Sequence, residues 1–154
     1  DMGAMLYFQS GQLFHPVFSG VDPSGTGITG GRPDRFRNGN LPPAQRTLDR
    51  WFDIGAFAIP AENRGSFGTS ARNVLEGPGL KVHHLNLMKR FRIKDRTELQ
   101  LFFNFFKAFN HPGFAVPQSD LSDPLSVGRV TSTRFTLEQK SSSRTVLAQV
   151  RLQF

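Results

Sequence analysis

RTVLAQVRLQF, residues 144–154, is the stretch that decides the fold. Counted back from Phe154, the residues Leu152, Val150, Ala148 and Val146 fall with it on one face of an extended strand. Thr145, Leu147, Gln149, Arg151 and Gln153 fall on the other. Strand side chains alternate with period two, so the segment has one apolar and one mostly polar face.

Working upstream, residues 98–110 (ELQLFFNFFKAFN) repeat the pattern. Leu99, Leu101, Phe103, Phe105 and Phe109 face one way. Gln100, Asn104, Ala108 and Asn110 face the other, joined by Phe102 and Phe106. Residues 80–93 (LKVHHLNLMKRFRI) form another such strand, with Leu85, Leu87, Phe91 and Ile93 opposite Asn86, Met88, Arg90 and Arg92. Lys89 interrupts the apolar face. A charge at a bilayer midplane costs about 2–4 kcal/mol and little near the interface. Lys89 is therefore expected near a rim, its stem on apolar surface and its ammonium in water. KDRT, residues 94–97, is a short polar connection suited to a tight hairpin turn.

Residues 5–14 (MLYFQSGQLF) supply a possible first strand. The run LYFQS at residues 6–10 resembles the end of a protease-cleavable expression tag, so residues 1–10 are either tag-derived or part of that strand. From His15 to about Gly79 proline and glycine recur, including Pro16, Pro23, Pro33, Pro42, Pro43, Pro60 and Pro78. Proline removes a ladder donor, so no central strand crosses this region. One short helix is expected from Thr47 (TLDRWFDIGAF), capped by Thr47 and ended by Gly55. Residues 111–143 form a second long loop.

The expected fold is therefore all-β: about four antiparallel strands with long loops and one short helix. Long loops on one side and a tight turn on the other is the pattern of an outer-membrane β-barrel, with apolar faces toward lipid and polar faces toward the lumen. A soluble all-β binding or interaction module is the alternative, since a strand apolar on both faces also suits a sandwich core. The 154 residues suffice for one domain, and the 16 phenylalanines require burial against a core, a partner or lipid. The absence of cysteine excludes disulfides and thiolate metal sites. The net charge of +7 is scattered rather than clustered, so nucleic-acid binding is not expected. No stretch has the length of a transmembrane helix, and no leader pattern opens the chain, as for the tail of a longer protein.

Residues 67–91 (FGTSARNVLEGPGLKVHHLNLMKRF), GGRPDRFRNGNLP, RTLDRWFDIGAFAIP and FFNFFKAFNHPGFAVP together resemble the end of large TonB-dependent outer-membrane receptors. The resemblance is to the acidobacterial group with a carboxypeptidase-like N-terminal domain and covers residues 11–154. It implies a barrel of about 22 strands filled by a plug, importing scarce nutrients with energy from TonB. On that resemblance the chain is a partial C-terminal barrel segment without the plug, located in the bacterial outer membrane. Its implied partners are the remaining barrel and plug, outer-membrane lipid, the barrel-assembly machinery and, only through the plug, TonB. Val146, Val150, Leu152 and Phe154 would form the strand read by that machinery.

Other motifs carry less. The GxGxxG match over residues 25–30 (GTGITG) lacks the strand before and helix after that a phosphate site requires, and reads as a loop. His83 and His84 point to opposite faces of a strand and cannot chelate one ion together. No nucleophile–base set stands out, and no enzyme activity, cofactor or metal is expected. Arg50, Trp51 and Phe52, beside Asp53, form a candidate recognition cluster, since an aromatic next to a charge can stack on a sugar or chelate. The competing reading is that Trp51 anchors its loop by packing.

Overall fold

Alternation of period two becomes a four-stranded antiparallel sheet in the computed structural model, which describes residues 1–94, 97–134 and 143–154. In chain order the strands are β1 (Met2–Gln9), β2 (Leu13–Phe14), β3 (Asp34–Arg35), β4 (Phe57–Ala58), β5 (Leu75–Glu76), β6 (Leu80–Lys94), β7 (Thr97–Phe106) and β8 (Thr145–Gln153). The large sheet has the order β1-β6-β7-β8. Short pairs β2–β5 and β3–β4 stand apart from it. Contacts divide the chain into two units. One holds Asp1–Ser10, Gly79–Gly113 and Arg134–Phe154; the other holds Gly11–Pro78 and Phe114–Thr133.

In the sheet unit, β6 pairs with β7 from Leu85↔Phe105 to Lys94↔Thr97, with a register irregularity between Arg92 and Lys94. Asp95 and Arg96, the centre of the expected turn, and 135–142 of the second loop lie outside the described residues. β7 ends sooner than the alternation over 98–110 suggests. Lys107 (φ 51°) and Asn110 (φ 52°) adopt left-handed backbone, which breaks an extended ladder. Phe109 therefore leaves the strand, and its ring packs edge-on against His83 at 5.1 Å.

The first strand also differs from its expected span. β1 covers Met2–Gln9, whereas Leu13 and Phe14 belong to the other unit, paired with Glu76 and Leu75. The break falls at Gly11, where the chain passes so close to the Gly77 carbonyl that a Cβ would overlap it.

The two long loops share one core in the second unit. Phe14, Phe52, Ala56, Phe57, Leu75 and Val127 form its centre, with Val74, Val116 and Leu121 packed around them. The first loop thus supplies most of the core and the second closes it. Backbone bonds join them: Val17 N–H to Ser119 O, Leu121 N–H to Val17 O, and Trp51 N–H to Gly128 O, each 2.8–2.9 Å. Gly39 is required there, because a Cβ would overlap the Phe57 ring and meet Leu75 Cδ2 at 3.1 Å.

The helix expected from Thr47 is reduced to a single 3-10 turn at Ile54–Ala56, and another such turn, Pro43–Gln45, precedes it. Its amides are taken by distant partners instead. Trp51 N–H donates to Gly128 O and Asp53 N–H to Gly39 O, so no i→i−4 ladder forms. Thr47 still caps, but only a turn: its Oγ1 accepts the Arg50 N–H at 3.0 Å. Gly55 sits inside the second turn rather than ending a helix.

Charge divides as the units do. The sheet unit carries eleven Lys and Arg against four Asp and Glu, and the loop unit eight against eight. The whole excess of +7 belongs to the sheet unit.

Candidate functional site

Residues paired across a sheet project to the same side, so the register sorts the two faces. On one side lie the rows Leu85–Phe105–Val146, Leu87–Phe103–Ala148, Lys89–Leu101–Val150 and Phe91–Leu99–Leu152 across β6, β7 and β8. β1 continues this face with Met2, Ala4, Leu6 and Phe8. The face is open: Val146 is 54% exposed, Val150 67%, Leu152 54% and Phe154 92%. A water-soluble sandwich would seal these side chains, whereas lipid covers them in a membrane. The proposed assembly residues Val146, Val150 and Leu152 thus share one apolar surface.

Lys89 is the exception on that side. It lies level with Leu101 and Val150, and Phe91, Leu99 and Leu152 continue the apolar face beyond it. Its ammonium turns along the strand over the Phe91 ring, 5.7 Å from the centroid. The side chain thus runs over apolar surface toward the hairpin end.

The opposite face carries the rows Asn86–Asn104–Leu147, Met88–Phe102–Gln149, Arg90–Gln100–Arg151 and Arg92–Glu98–Gln153. Near the hairpin this face is charged and amidic. Gln100 Nε2 donates to Glu98 Oε2 at 3.2 Å, and Arg90 Nη2 lies 3.4 Å from Asp1 Oδ2. Toward the loop end it becomes aromatic, with His84 edge-on to Phe106 at 5.5 Å and the Lys107 N–H donated to His84 Nδ1. Phe102 and Phe106 therefore both face the lumen side.

The candidate recognition cluster in the loop unit is only partly assembled. Phe52 is 1% exposed and packs edge-on between Phe14 and Phe57, so it is a core residue and unavailable to a ligand. Trp51 is half-buried, and its indole N–H donates to Glu76 O at 2.8 Å. The Arg46 guanidinium lies 5.8 Å from the Trp51 ring centre, a partner that sequence spacing alone does not single out. Arg50 stays exposed, 4.0 Å from Asp53, which Arg37 holds more closely at 2.8 Å. Trp51 thus anchors its loop, and the exposed member of the cluster is Arg50.

The glycine-rich stretch has an occupant of its own. The amides of Ser24 and Gly25 and the Ser24 hydroxyl donate to Asp22 Oδ1 at 2.8–3.1 Å, and Gly27 N–H to Oδ2 at 2.6 Å. Gly25 and Gly27 reach this geometry with φ of 72° and 85°. Burial pushes the Asp22 carboxyl up, but the Ser24 hydroxyl and the Gly27 and Gly25 amides outweigh it and hold it below the usual range. The donors that would cradle a phosphate cradle a carboxylate of the same loop. Nearby, the Arg64 guanidinium grips Asp34 through both oxygens, and the Thr69 N–H adds a bond at 3.1 Å. Arg64 chiefly holds the Asp34 carboxyl low, against the opposing effect of burial.

His83 and His84 do face opposite sides, paired with Leu6 and Met5. The fold brings His111 to His83, with ring centres 6.1 Å apart, a proximity that 28 residues of separation conceal.

The family model described as "Outer membrane beta barrel domain" matches residues 1–146. No curated protein and no solved structure matches the chain.

Proposed function

Since the chain belongs to the outer membrane beta-barrel domain family, we propose that it is the C-terminal segment of a TonB-dependent receptor. Its place is the bacterial outer membrane. The segment supplies barrel strands, loops on the outer side, and in β8 the closing strand. It is not an enzyme on this reading. Its partners are the remaining barrel strands and plug, the surrounding lipid, and the barrel-assembly machinery that reads Val146, Val150, Leu152 and Phe154. TonB is engaged only through the plug.

The observation that carries this reading is the sheet itself. β7 and β8, of 10 and 9 residues, have the length of tilted membrane-spanning strands. They present an unbroken apolar side outward and an arginine- and amide-bearing side inward. Among the described residues no further strand pairs with the outer edges of β1 and β8, and lipid does not tolerate open edges. Further strands must meet them, as a large barrel supplies. The receptor type rests on the resemblance of residues 11–154.

Detergent dependence tests the membrane placement. The chain is expected to aggregate in plain buffer and to regain strand content in micelles. A monomeric, cooperatively unfolding species in buffer alone would overturn it. In the full receptor, deleting Phe154 should lower the amount inserted in the outer membrane; unchanged surface levels would remove the assembly role.

A further inference from the structure

We propose that a groove in the loop unit binds an uncharged, apolar peptide segment in extended form. Its polar contacts are His15, Asn73 and Ser119. The proposal rests on the receptor reading above, since it needs these loops on the outer side of the membrane.

The groove has a volume of about 350 Å³ and lies where three stretches of the two long loops meet. β2 brings the first stretch to β5 through the pair Phe14↔Leu75, two residues beyond Asn73. The Val17 N–H donates to Ser119 O at 2.9 Å and joins the third. Backbone bonds thus hold the walls before a ligand arrives, which lowers the cost of binding. Leu13, Val17, Val116 and Pro117 supply apolar lining, and no Asp, Glu, Lys or Arg belongs to it.

Three polar side chains of this lining offer unused bonding capacity. His15 Nδ1 is buried without a hydrogen bond. The Asn73 carboxamide and the Ser119 hydroxyl make none with any described residue. A buried bare donor is rarer than a buried bare acceptor, so in the neutral ring the His15 hydrogen belongs on Nε2. Asn73 holds left-handed backbone at φ 56°, which asparagine and glycine tolerate.

These groups select the ligand. A carboxamide offers an acceptor and two donors, the complement of a peptide N–H and C=O. The hydroxyl and the imidazole add further donors at the same lining. A charged chelate or a phosphate finds no counter-charge there. A pyranose ring packs best on an open aromatic face, and the one phenyl ring of the lining, Phe14, is only 8% exposed. An extended peptide fits both halves. Its backbone bonds to His15, Asn73 and Ser119, and an apolar side chain drops between Leu13, Val17 and Val116.

The test uses the full receptor, extracted from outer membranes in detergent. The probe is a leucine–alanine tetrapeptide with acetylated and amidated ends, followed by titration calorimetry. A neutral tetrasaccharide and inorganic phosphate serve as competitors. The peptide should bind, and neither competitor should displace it. Asn73→Gly keeps the left-handed backbone and removes the carboxamide. It should weaken binding about thirtyfold, the loss expected of two neutral hydrogen bonds, and Ser119→Ala about fivefold, for one. Asn63→Gly, at a matching φ of 54° outside the groove, should leave binding unchanged. If Asn73→Gly opens the loops to protease, Asn73→Asp decides: it keeps the shape and brings a charge, so unchanged binding overturns the groove. Absence of peptide binding, displacement by either competitor, or an equal effect of Asn63→Gly also overturns it. Leu125→Cys, in the same unit and 80% exposed, separates this failure from that of the receptor reading. A label gained from a membrane-impermeant maleimide on intact cells leaves the outer placement standing whatever the peptide does. No label overturns both.

Discussion

The Lys89 ammonium lies 5.7 Å from the centre of the Phe91 ring, two residues further along the same side of β6. The contact shows how a charge is tolerated among Leu87, Leu101 and Val150. The long stem follows the apolar surface and the head is carried toward the hairpin end. In the assembled barrel Lys89→Leu should raise stability by about 1 kcal/mol, the residual cost of a cation near an interface. Urea unfolding in vesicles measures it, and a loss of stability would show that Lys89 has a stabilising partner in the assembled barrel.

The two sides of β8 should respond oppositely to the same chemistry. Val150→Arg places a second cation in the row of Lys89, across Leu101, on the lipid-facing surface and should cost about 2–4 kcal/mol. Gln149→Arg, one residue away on the lumen side, should cost well under 1 kcal/mol. Equal costs for the pair would contradict the assignment of faces.

Phe52→Ala should cost about 3–5 kcal/mol in the loop unit, because the ring is enclosed by Phe14 and Phe57. Gly39→Ala should cost about 1–3 kcal/mol by forcing the Phe57 ring aside. Arg50→Ala, with an exposed side chain, should leave stability unchanged. Limited proteolysis of the loops ranks all three. A stable Phe52→Ala protein would mean that the shared loop core contributes little.

Acid should loosen the loop unit. The carboxyls of Asp34, Asp22 and Asp123 all titrate below the ordinary value of 3.8 in the folded state. A depressed folded pKa stabilises above the unfolded pKa, and that stability is lost as pH falls through the folded one. The stabilisation is thus present at neutral pH and fades below about pH 4. Asp34→Asn should lower stability at pH 7 and blunt the acid transition. The single tryptophan, Trp51, reports both through its emission.

The sheet was legible because its determinants are local. Leu85 to Phe91, Leu99 to Phe105 and Val146 to Leu152 announce their faces by parity, and the observed register keeps them. Two left-handed residues, Lys107 and Asn110, ended β7 without a glycine to mark the place. The loop unit was not legible. Its order comes from contacts such as Phe52 with Phe14, or Trp51 N–H with Gly128 O, that pair residues dozens of positions apart. The same contacts removed the expected helix, since a helical ladder and these long-range bonds compete for the same amides. A dense run of proline and glycine left only the two-residue strands β3, β4 and β5 there, as expected of a region without a central strand, yet it did not exclude a folded core. Several apolar residues interspersed among those prolines, such as Phe14, Phe18, Phe52 and Phe57, were the available hint.

Eight cations balanced by eight anions make the loop unit electrically silent at long range, while the sheet unit carries every surplus charge. A solute meeting those loops would feel no net pull from a distance, so its capture rate should hardly change with ionic strength. Selection there would begin on contact, through shape and individual hydrogen bonds, and an ionic-strength series of association rates would reveal it.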